Sequence, residues 1–208
     1  VSKHHPCLDW KDIEPFFSKL EANKCNMHQQ VILCAKFTLL TFLRTGASSR
    51  TRWEWVDEEA GMITYPGTTS GLKRVRGVTD HIPHKVPITP EIQSILDSAK
   101  TYSDCTIPSN PVFLPTRQSR FKHLDPSAVN NLFRNLGYKD LMRAHGCRRL
   151  AMTTGKDVLK SDHNVIELQL GHLPKGKVGK AYDGAERIQQ LLCFEKLYQY
   201  SPLMIIYI

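Results

Sequence analysis

The sequence predicts an α+β fold that is mainly α-helical with a small antiparallel β-sheet. Apolar residues recur at helical spacing in several segments, and two short strand-like segments flank a glycine-rich stretch between residues 62 and 88. Hydrophobic residues make up 41% of the 208 positions, enough for one substantial core. We therefore expect one domain over residues 1–208, with a polar lead-in at 1–9 and an apolar tail at 203–208.

Two helices are predicted in the first fifth of the chain. Asp9 is suited to cap a helix from residue 10 to about residue 20, in which apolar side chains follow helical spacing. After a polar break at 23–26, the apolar segment 27–43 predicts a long helix that is buried on nearly all sides. This second helix brings Arg44 to its end, where the arginine could also neutralise the helix dipole.

A small sheet should follow. Residues 59–61 form a turn, 62–65 a short strand and 84–88 a second strand. The segment G-T-T-S-G-L-K-R-V-R-G at 67–77 is glycine-rich and basic, which is typical of a mobile hairpin between the two strands.

The rest of the chain predicts further helices joined by one long connection at 103–125. Thr89 and Pro90 favour a helix start, as do Asp125 and Pro126. The expected helices cover residues 90–99, 126–136, 143–154, 165–170 and 188–198. The apolar residues 203–208 should pack as a strand on this domain or on a neighbouring protomer, because such a tail left unpaired promotes aggregation.

Charge and cysteine usage limit the classes of function. Lys and Arg number 28 against 20 acidic residues, so a net charge of +8 favours a polyanionic partner, nucleic acid before an anionic membrane surface. No apolar span reaches the ~20 residues of a membrane helix, and no signal peptide opens the sequence. The six cysteines form no C-x-x-C pair, which predicts reduced, buried thiols in a cytoplasmic protein.

Three motifs near the end of the chain carry the chemistry. They are H-G-C-R-R at 145–149, L-G-H at 170–172 and A-Y-D at 181–183. Tyr182 is a candidate nucleophile, and Arg148, His145 and His172 could neutralise and protonate an anionic phosphodiester that it attacks. In the helix predicted from residue 143, positions i and i+3 share a face, so His145 and Arg148 could reach one phosphate.

These motifs, in this order and spacing, resemble the catalytic box of tyrosine recombinases. The wording A-H-G-C-R-R, I-E-L-Q-L-G-H and K-V-G-K-A-Y-D-G-A-E is most similar to phage and genomic-island integrases of the P4 type, over residues 144–187. The segment T-F-L-R-T-G-A…R-W-E-W-V-D resembles the first integrase motif, with Arg44 nine positions before Trp53. Phe42 stands where the family often has glycine, and Ala47 where it usually has glutamate.

The resemblance implies a tyrosine recombinase catalytic-domain fold and a reaction without metal or other cofactor. Tyr182 would form a 3′-phosphotyrosyl link, while Arg44 and Arg148 hold the nonbridging phosphate oxygens. His145 would act on the tyrosine proton and His172 would hydrogen-bond the phosphate.

Lys73 is the position that matches the catalytic lysine of the family, and it would protonate the departing 5′ oxygen. The alternative for Lys73 is a simple phosphate contact, and Lys85 is a weaker candidate for the acid. Further contacts to DNA are expected from five basic side chains: Arg74, Arg76, Arg149, Lys175 and Lys177.

The implied partners are double-stranded DNA attachment sites in the cytoplasm of a bacterium, where protomers self-associate as a tetramer. The start at Val1 and the lack of room for amino-terminal DNA-binding regions suggest an isolated catalytic domain, monomeric alone and weakly bound to DNA. Two alternatives remain: a type IB topoisomerase, and a DNA-binding module with a degenerate site. A metal-dependent nuclease is disfavoured because the sequence has no acidic cluster for the ions.

Overall fold

The computed structural model describes residues 6–116, 121–157 and 160–173. The predicted helix at 188–198 and the predicted strand at 203–208 lie outside the described residues. So do four single residues of interest: Tyr182, Lys175, Lys177 and Cys193.

Two helices open the fold, as predicted. A 3-10 turn at Trp10–Asp12 leads into α1 (Ile13–Ala22), and α2 (Gln29–Thr41) follows. Every residue of α2 after Gln29 is buried, as its continuous apolar pattern predicted. The predicted end of α2 at residue 43 was wrong by two positions, because Phe42 adopts a left-handed conformation with φ 54° and ends the helix.

The polar segment after α2 is folded into the interior. Helix α3 (Thr45–Ser48) is followed by a 3-10 turn at Trp53–Trp55. Hydroxyl groups pair with each other: Thr38 Oγ1 lies 2.7 Å from Ser48 Oγ, and Thr51 Oγ1 lies 2.7 Å from the Tyr65 hydroxyl. These bonds satisfy polar groups that would otherwise be costly to bury.

The predicted antiparallel sheet is present and, in the described part of the chain, has three strands in the order β1-β2-β3. They are β1 (Val56–Asp57), β2 (Met62–Tyr65) and β3 (His84–Pro87), and Tyr65 pairs with His84 at one end of the β2–β3 ladder. The basic hairpin therefore lies between two paired strands. Its ends are held close together by the sheet.

Four helices complete the described part. They are α4 (Pro90–Lys100), α5 (Ser127–Phe133, continued by a π-helical turn at Arg134–Tyr138), α6 (Gly146–Asp157) and α7 (His163–Gln169). Thr89 caps α4 as predicted, since its Oγ1 accepts a bond from the Ile92 amide. The predicted start of α6 at residue 143 was wrong by three positions, and the predicted start of α7 at residue 165 by two.

The core forms around α2, which packs against α4 and α5. Phe16 of α1 makes edge-to-face contacts with Phe133 and Tyr138, with centroid distances of 5.0 and 4.8 Å. Helices α6 and α7 pack on each other through a separate small cluster: Ala151, Ile166 and Leu170, with Phe42 against it. The side chain of Phe42 thus belongs to both clusters.

The described residues are mainly helical with a small antiparallel sheet, so the predicted fold class is confirmed at that level. Within them, no helix has the length and apolar content needed to cross a membrane. The described cysteines are free thiols, of which Cys34 and Cys147 are buried and Cys105 is exposed. The expectation of buried thiols therefore does not hold for Cys105.

Candidate active site

Three side chains that are distant in sequence meet where α2, α6 and α7 come together. Arg44 follows α2, Arg148 lies in the first turn of α6, and His172 follows α7. The Nε2 atom of His172 is 3.3 Å from Nη2 of Arg44 and 3.0 Å from Nη2 of Arg148. Predicted site residues from both halves of the chain are thus joined in one hydrogen-bonded group.

Arg148 is the most buried member of this group, with 5% of its surface exposed. Its Nη1 donates to the carbonyl oxygen of Phe42 at 2.6 Å, and its Nη2 donates to that of Leu170. Burial, together with the positive charge of Arg44, lowers the pKa of Arg148. The guanidinium therefore ties the end of α2 to the end of α7 while it contacts His172.

Arg44 is half-buried and holds a different part of the chain. Its Nη1 donates to the carbonyl oxygen of Gly71 at 3.3 Å, and burial lowers its pKa. The carbonyl that ends α2, that of Phe42, accepts from Arg148 instead. The hydrogen bonds of Arg44 thus go to the basic hairpin and to His172, away from the helix terminus whose dipole it was considered to neutralise.

The hydrogen bonds of His172 define its tautomer. Guanidinium groups can only donate, so the Nε2 atom facing Arg44 and Arg148 must be the acceptor. The proton then lies on Nδ1, which donates to Oε2 of Glu167 at 2.6 Å. Burial lowers the pKa of His172; Glu167 opposes this effect and the two arginines add to it. His172 is accordingly neutral in this arrangement.

The group carries excess positive charge. In the described part of the chain, the guanidiniums of Arg44 and Arg148 bond to carbonyl oxygens and to His172, and neither pairs with a carboxylate. Among the described residues, two guanidiniums stand against one nearby carboxylate, that of Glu167, which is hydrogen-bonded to His172. The resulting net positive charge favours binding of an anion such as a phosphodiester.

The basic hairpin lies beside this group and contributes residues of unlike exposure. Lys73 and Arg76 are exposed, whereas Arg74 is half-buried. Arg74 donates from Nη1 to the Gly171 carbonyl at 2.7 Å and from Nε to the Ile82 carbonyl at 3.1 Å. From sequence, Arg74 was predicted to contact DNA; in the structure, these two nitrogens bind the backbone.

His145 and Arg149 are both exposed, on either side of the buried Arg148. Because α6 begins at Gly146 and not at residue 143, His145 lies just before the helix and not within it. Its carbonyl accepts a bond from the Arg148 amide at 3.3 Å. The start of α6 is covered by the chain near Pro6, whose carbonyl oxygen would lie 2.1 Å from a Cβ on Gly146.

Sequence reasoning missed two residues next to the site. Glu167 orients His172; it is part of the quoted I-E-L-Q-L-G-H motif, five positions before the histidine, but was given no role. The second is His84 of β3, which is 4% exposed and packs against Gly171: a Cβ on that glycine would lie 3.5 Å from the His84 ring. No sequence pattern distinguished this histidine from an ordinary strand residue.

His84 is a buried imidazole among cations. Burial lowers its pKa to about 3, and Arg74, Arg148 and His172 contribute to the shift. Its Nε2 atom is buried and has no hydrogen-bond partner among the described residues. His84 is therefore neutral at physiological pH, and its uncharged ring packs against Gly171 in the turn that carries His172.

The predicted nucleophile Tyr182 and the predicted DNA contacts Lys175 and Lys177 lie outside the described residues. Among the residues that are described, no three His, Cys, Asp or Glu side chains are grouped as a metal site.

Comparisons with known proteins show that the chain is similar to integrases of phages and prophages. The chain is 28% identical over 187 residues to prophage integrase IntZ of Escherichia coli (strain K12), covering 90% of this chain and 42% of that protein. It is 27% identical over 188 residues to the integrase of Enterobacteria phage P4, covering 87% and 41%. The integrase of Shigella phage Sf6 is 24% identical over 163 residues, covering 76% and 38%.

The predicted resemblance to phage-type integrases, including that of phage P4, is confirmed by these relatives. The chain spans about four-tenths of the length of the curated relatives that it matches, with 42% and 41% of the first two covered. No family model matches the chain. No solved structure matches it either.

Proposed function

We propose that this chain is the catalytic part of a tyrosine recombinase that integrates or excises a phage or genomic island. The observation that carries the proposal is the hydrogen-bonded group of Arg44, Arg148 and His172. It unites both arginine motifs with the L-G-H motif in a site where neither guanidinium pairs directly with a carboxylate of the described residues. The similarity to phage and prophage integrases supports DNA as the substrate.

In the proposed reaction, the Tyr182 oxygen attacks the scissile phosphorus while the bond from phosphorus to the 5′ oxygen breaks. The products are a 3′-phosphotyrosyl link and a free 5′ hydroxyl. Arg44 and Arg148 stabilise the charge on the nonbridging oxygens, and loss of one such donor typically costs about 10²–10³ in rate. A 5′ hydroxyl from a partner strand then reverses the step. The phosphotyrosyl link conserves the bond energy, so no metal or nucleotide is required.

Three further residues have proposed roles in proton transfer and binding. His145 receives the proton of Tyr182, and Lys73 gives a proton to the departing 5′ oxygen. His172 binds the phosphate through Nε2. In the structure this nitrogen accepts from two guanidiniums, so binding requires the arginines to turn to the phosphate and Nε2 to gain a proton. The carboxylate of Glu167 on Nδ1 would stabilise the resulting imidazolium.

The proposal includes the tyrosine recombinase catalytic-domain fold for residues 1–208, within a longer protein, since the relatives are more than twice as long as the matched region. We further propose that four protomers assemble on paired attachment sites in the bacterial cytoplasm. Exposed Arg76 and Arg149, with Lys175 and Lys177, would bind DNA phosphates. Affinity should then fall steeply with salt as counterions are released.

Two other functions share parts of this site. A type IB topoisomerase would use a similar constellation but reseal the same strand as a monomer; the named integrase relatives favour recombination instead. A DNA-binding module with a degenerate site would bind DNA without forming a covalent link. The structure offers no particular support for either alternative.

The test is covalent trapping on DNA that carries a nick beside the cleavage position, so that the short released strand diffuses away. A pool of candidate attachment sites is incubated with the full-length protein, and adducts are resolved after denaturation. We expect a denaturation-resistant adduct with the wild-type protein and none with Tyr182→Phe. Tyr102→Phe is the matched control, because Tyr102 is an exposed tyrosine that belongs to no site and should leave the adduct unchanged.

The outcomes separate the three functions. Loss of the adduct in Tyr182→Phe alone supports a tyrosine recombinase or topoisomerase, and joining of strands from two different duplexes then selects the recombinase. DNA binding without any adduct from the full-length protein would support the degenerate module. An adduct that persists in Tyr182→Phe would mean that another residue is the nucleophile.

A further inference from the structure

Arg74 of the basic hairpin was expected from the sequence to contact DNA, but in the structure its side chain binds backbone carbonyls. Its neighbours Lys73 and Arg76 are exposed, but the Arg74 side chain turns inward. Burial and the nearby Arg44 lower its pKa. Burial and the charge of Arg44 both destabilise the charged form of Arg74. An arginine that only bound a DNA phosphate would be more stable in an exposed position away from other cations.

The inward position is accounted for by hydrogen bonds to the backbone. Arg74 Nη1 is 2.7 Å from the carbonyl oxygen of Gly171, the residue directly before His172. Arg74 Nε is 3.1 Å from the carbonyl oxygen of Ile82, which lies beyond the basic hairpin, two positions before β3. One side chain therefore links the basic hairpin to the residues just before β3 and to the turn that carries His172.

Gly71, two positions before Lys73, is also held by a hydrogen bond. The carbonyl oxygen of Gly71 accepts a bond from Arg44 Nη1, and Arg44 also contacts His172 through Nη2. The backbone around Lys73 is thus fixed to the candidate site at position 71 by Arg44 and at position 74 by its own arginine. Lys73 has an exposed side chain on a backbone that is anchored on both sides.

We propose that Arg74 is a positioning residue, whose guanidinium holds the Lys73 segment against the turn that carries His172. The inference rests on the proposed function, in which Lys73 protonates the 5′ oxygen as its bond to phosphorus breaks. A displacement of about 1 Å in a catalytic group can cost about 10²-fold in rate, so such an anchor has a direct effect on proton transfer.

The first measurement is amide hydrogen exchange, which does not depend on DNA or activity. In Arg74→Met, amides of the Gly171–His172 turn and of the segment near Ile82 should exchange about 10-fold faster, because local opening becomes easier. Arg76→Met is the matched control in the same hairpin, and its exchange at these amides should equal that of the wild type. Equal exchange in the two variants would overturn the inference.

The second measurement compares cleavage of two nicked DNA substrates, one with the normal 5′ bridging oxygen and one with sulfur in its place. A thiolate is a far weaker base than an alkoxide and can leave without a proton, so the sulfur substrate removes the need for the general acid. On the oxygen substrate, Arg74→Met and Lys73→Met should both cleave at least about 10-fold more slowly than the wild type. On the sulfur substrate, both should return to within about 3-fold of it.

Two further variants make the comparison specific. Arg148→Met removes a phosphate contact rather than the acid, so sulfur should not restore its rate. Arg74→Lys keeps the charge but cannot span both carbonyls, so it should behave as Arg74→Met does. If Arg74→Met instead shows weaker, less salt-dependent DNA binding with no recovery on sulfur, Arg74 is a phosphate contact and the inference is wrong.

The two measurements also separate this inference from the proposed function. Faster exchange in Arg74→Met with no covalent adduct from the wild-type protein would retain the anchor but reject the recombinase. An adduct from the wild type with unchanged exchange in Arg74→Met would retain the recombinase and reject the anchor.

Discussion

The guanidinium of Arg148 donates a 2.6 Å hydrogen bond to the carbonyl oxygen of Phe42, a residue 106 positions earlier. This bond connects the start of α6 to the left-handed residue that ends α2, two positions before Arg44. The same guanidinium contacts His172, so one buried side chain organises segments from both halves of the chain. Arg148 therefore has a structural role in addition to its proposed contact with phosphate.

Replacement of Arg148 should destabilise the protein. Arg148→Met keeps an aliphatic side chain but leaves the carbonyls of Phe42 and Leu170 without their donor, and a buried unsatisfied group costs about 1–3 kcal/mol. We expect a net fall of about 2 kcal/mol in the free energy of unfolding. This value includes a partial offset, because the variant no longer has repulsion between Arg148 and Arg44. Denaturant unfolding measures this change. Arg149→Met, an exposed substitution at the next position of α6, should stay within about 0.5 kcal/mol of wild type.

Phe42 pays a conformational cost that glycine would avoid. It has φ 54°, a region that costs a residue with a Cβ about 1–2 kcal/mol, and its side chain packs against both apolar clusters. Phe42→Ala and Phe42→Gly both lose the packing, but only the glycine variant also relieves the strain. We expect Phe42→Gly to be the more stable of the two by about 1 kcal/mol in denaturant unfolding. Equal stability would show that the left-handed conformation carries little strain here.

The sequence predicted the elements whose patterns are local. The apolar run of α2, the threonine cap of α4 and the short strand β2 are each determined by neighbouring residues, and each was confirmed. The helix ends were less predictable, because Phe42 is not a residue type that signals a left-handed cap, and because the start of α6 lies against Pro6, which is far away in sequence.

For the site, motif spacing singled out Arg44, Arg148 and His172, and the structure brings them together. Motif spacing did not reveal that the Arg74 side chain points inward or that His84 is buried. Both depend on contacts with the Gly171 turn, which lies more than 80 positions away in sequence. Long-range contacts of this kind leave no periodic trace in the sequence.

Gly71 of the basic hairpin should be costly to replace, because backbone strain and a close approach act on it together. It has φ 102°, and a Cβ there would lie 2.5 Å from the backbone nitrogen of Ala47. Gly71→Ala combines backbone strain with overlap, so we expect a loss of about 3 kcal/mol in the free energy of unfolding.

Gly77 provides the control for that substitution. It also has a positive φ, 73°, but a Cβ there would meet nothing within 4 Å. Gly77→Ala should therefore lower the free energy of unfolding by about 1 kcal/mol, through backbone strain alone. If both variants lose the same stability, the close approach between Gly71 and Ala47 is not a constraint on the fold.

The stability of the protein should depend on pH through His84. Burial lowers the pKa of His84 to about 3, whereas its unfolded-state value is near 6.5. Between these values the unfolded state binds more protons than the folded state, so the free energy of unfolding decreases as the pH falls below about 6.5. The contribution approaches about 1.4 kcal/mol per pH unit, and the lowered pKa of His172 acts in the same direction.

His84→Leu removes the titrating group without leaving a new unpaired polar atom, since Nε2 has no partner among the described residues. Denaturant unfolding between about pH 4 and 7 should give a shallower pH dependence for His84→Leu than for the wild type, by up to about 1.4 kcal/mol per unit. His81→Leu replaces an exposed histidine three positions before His84, in the loop that leads into β3, and should retain the wild-type slope. A slope unchanged in His84→Leu would mean that His84 is protonated equally well in the folded protein, contrary to its burial among Arg74, Arg148 and His172.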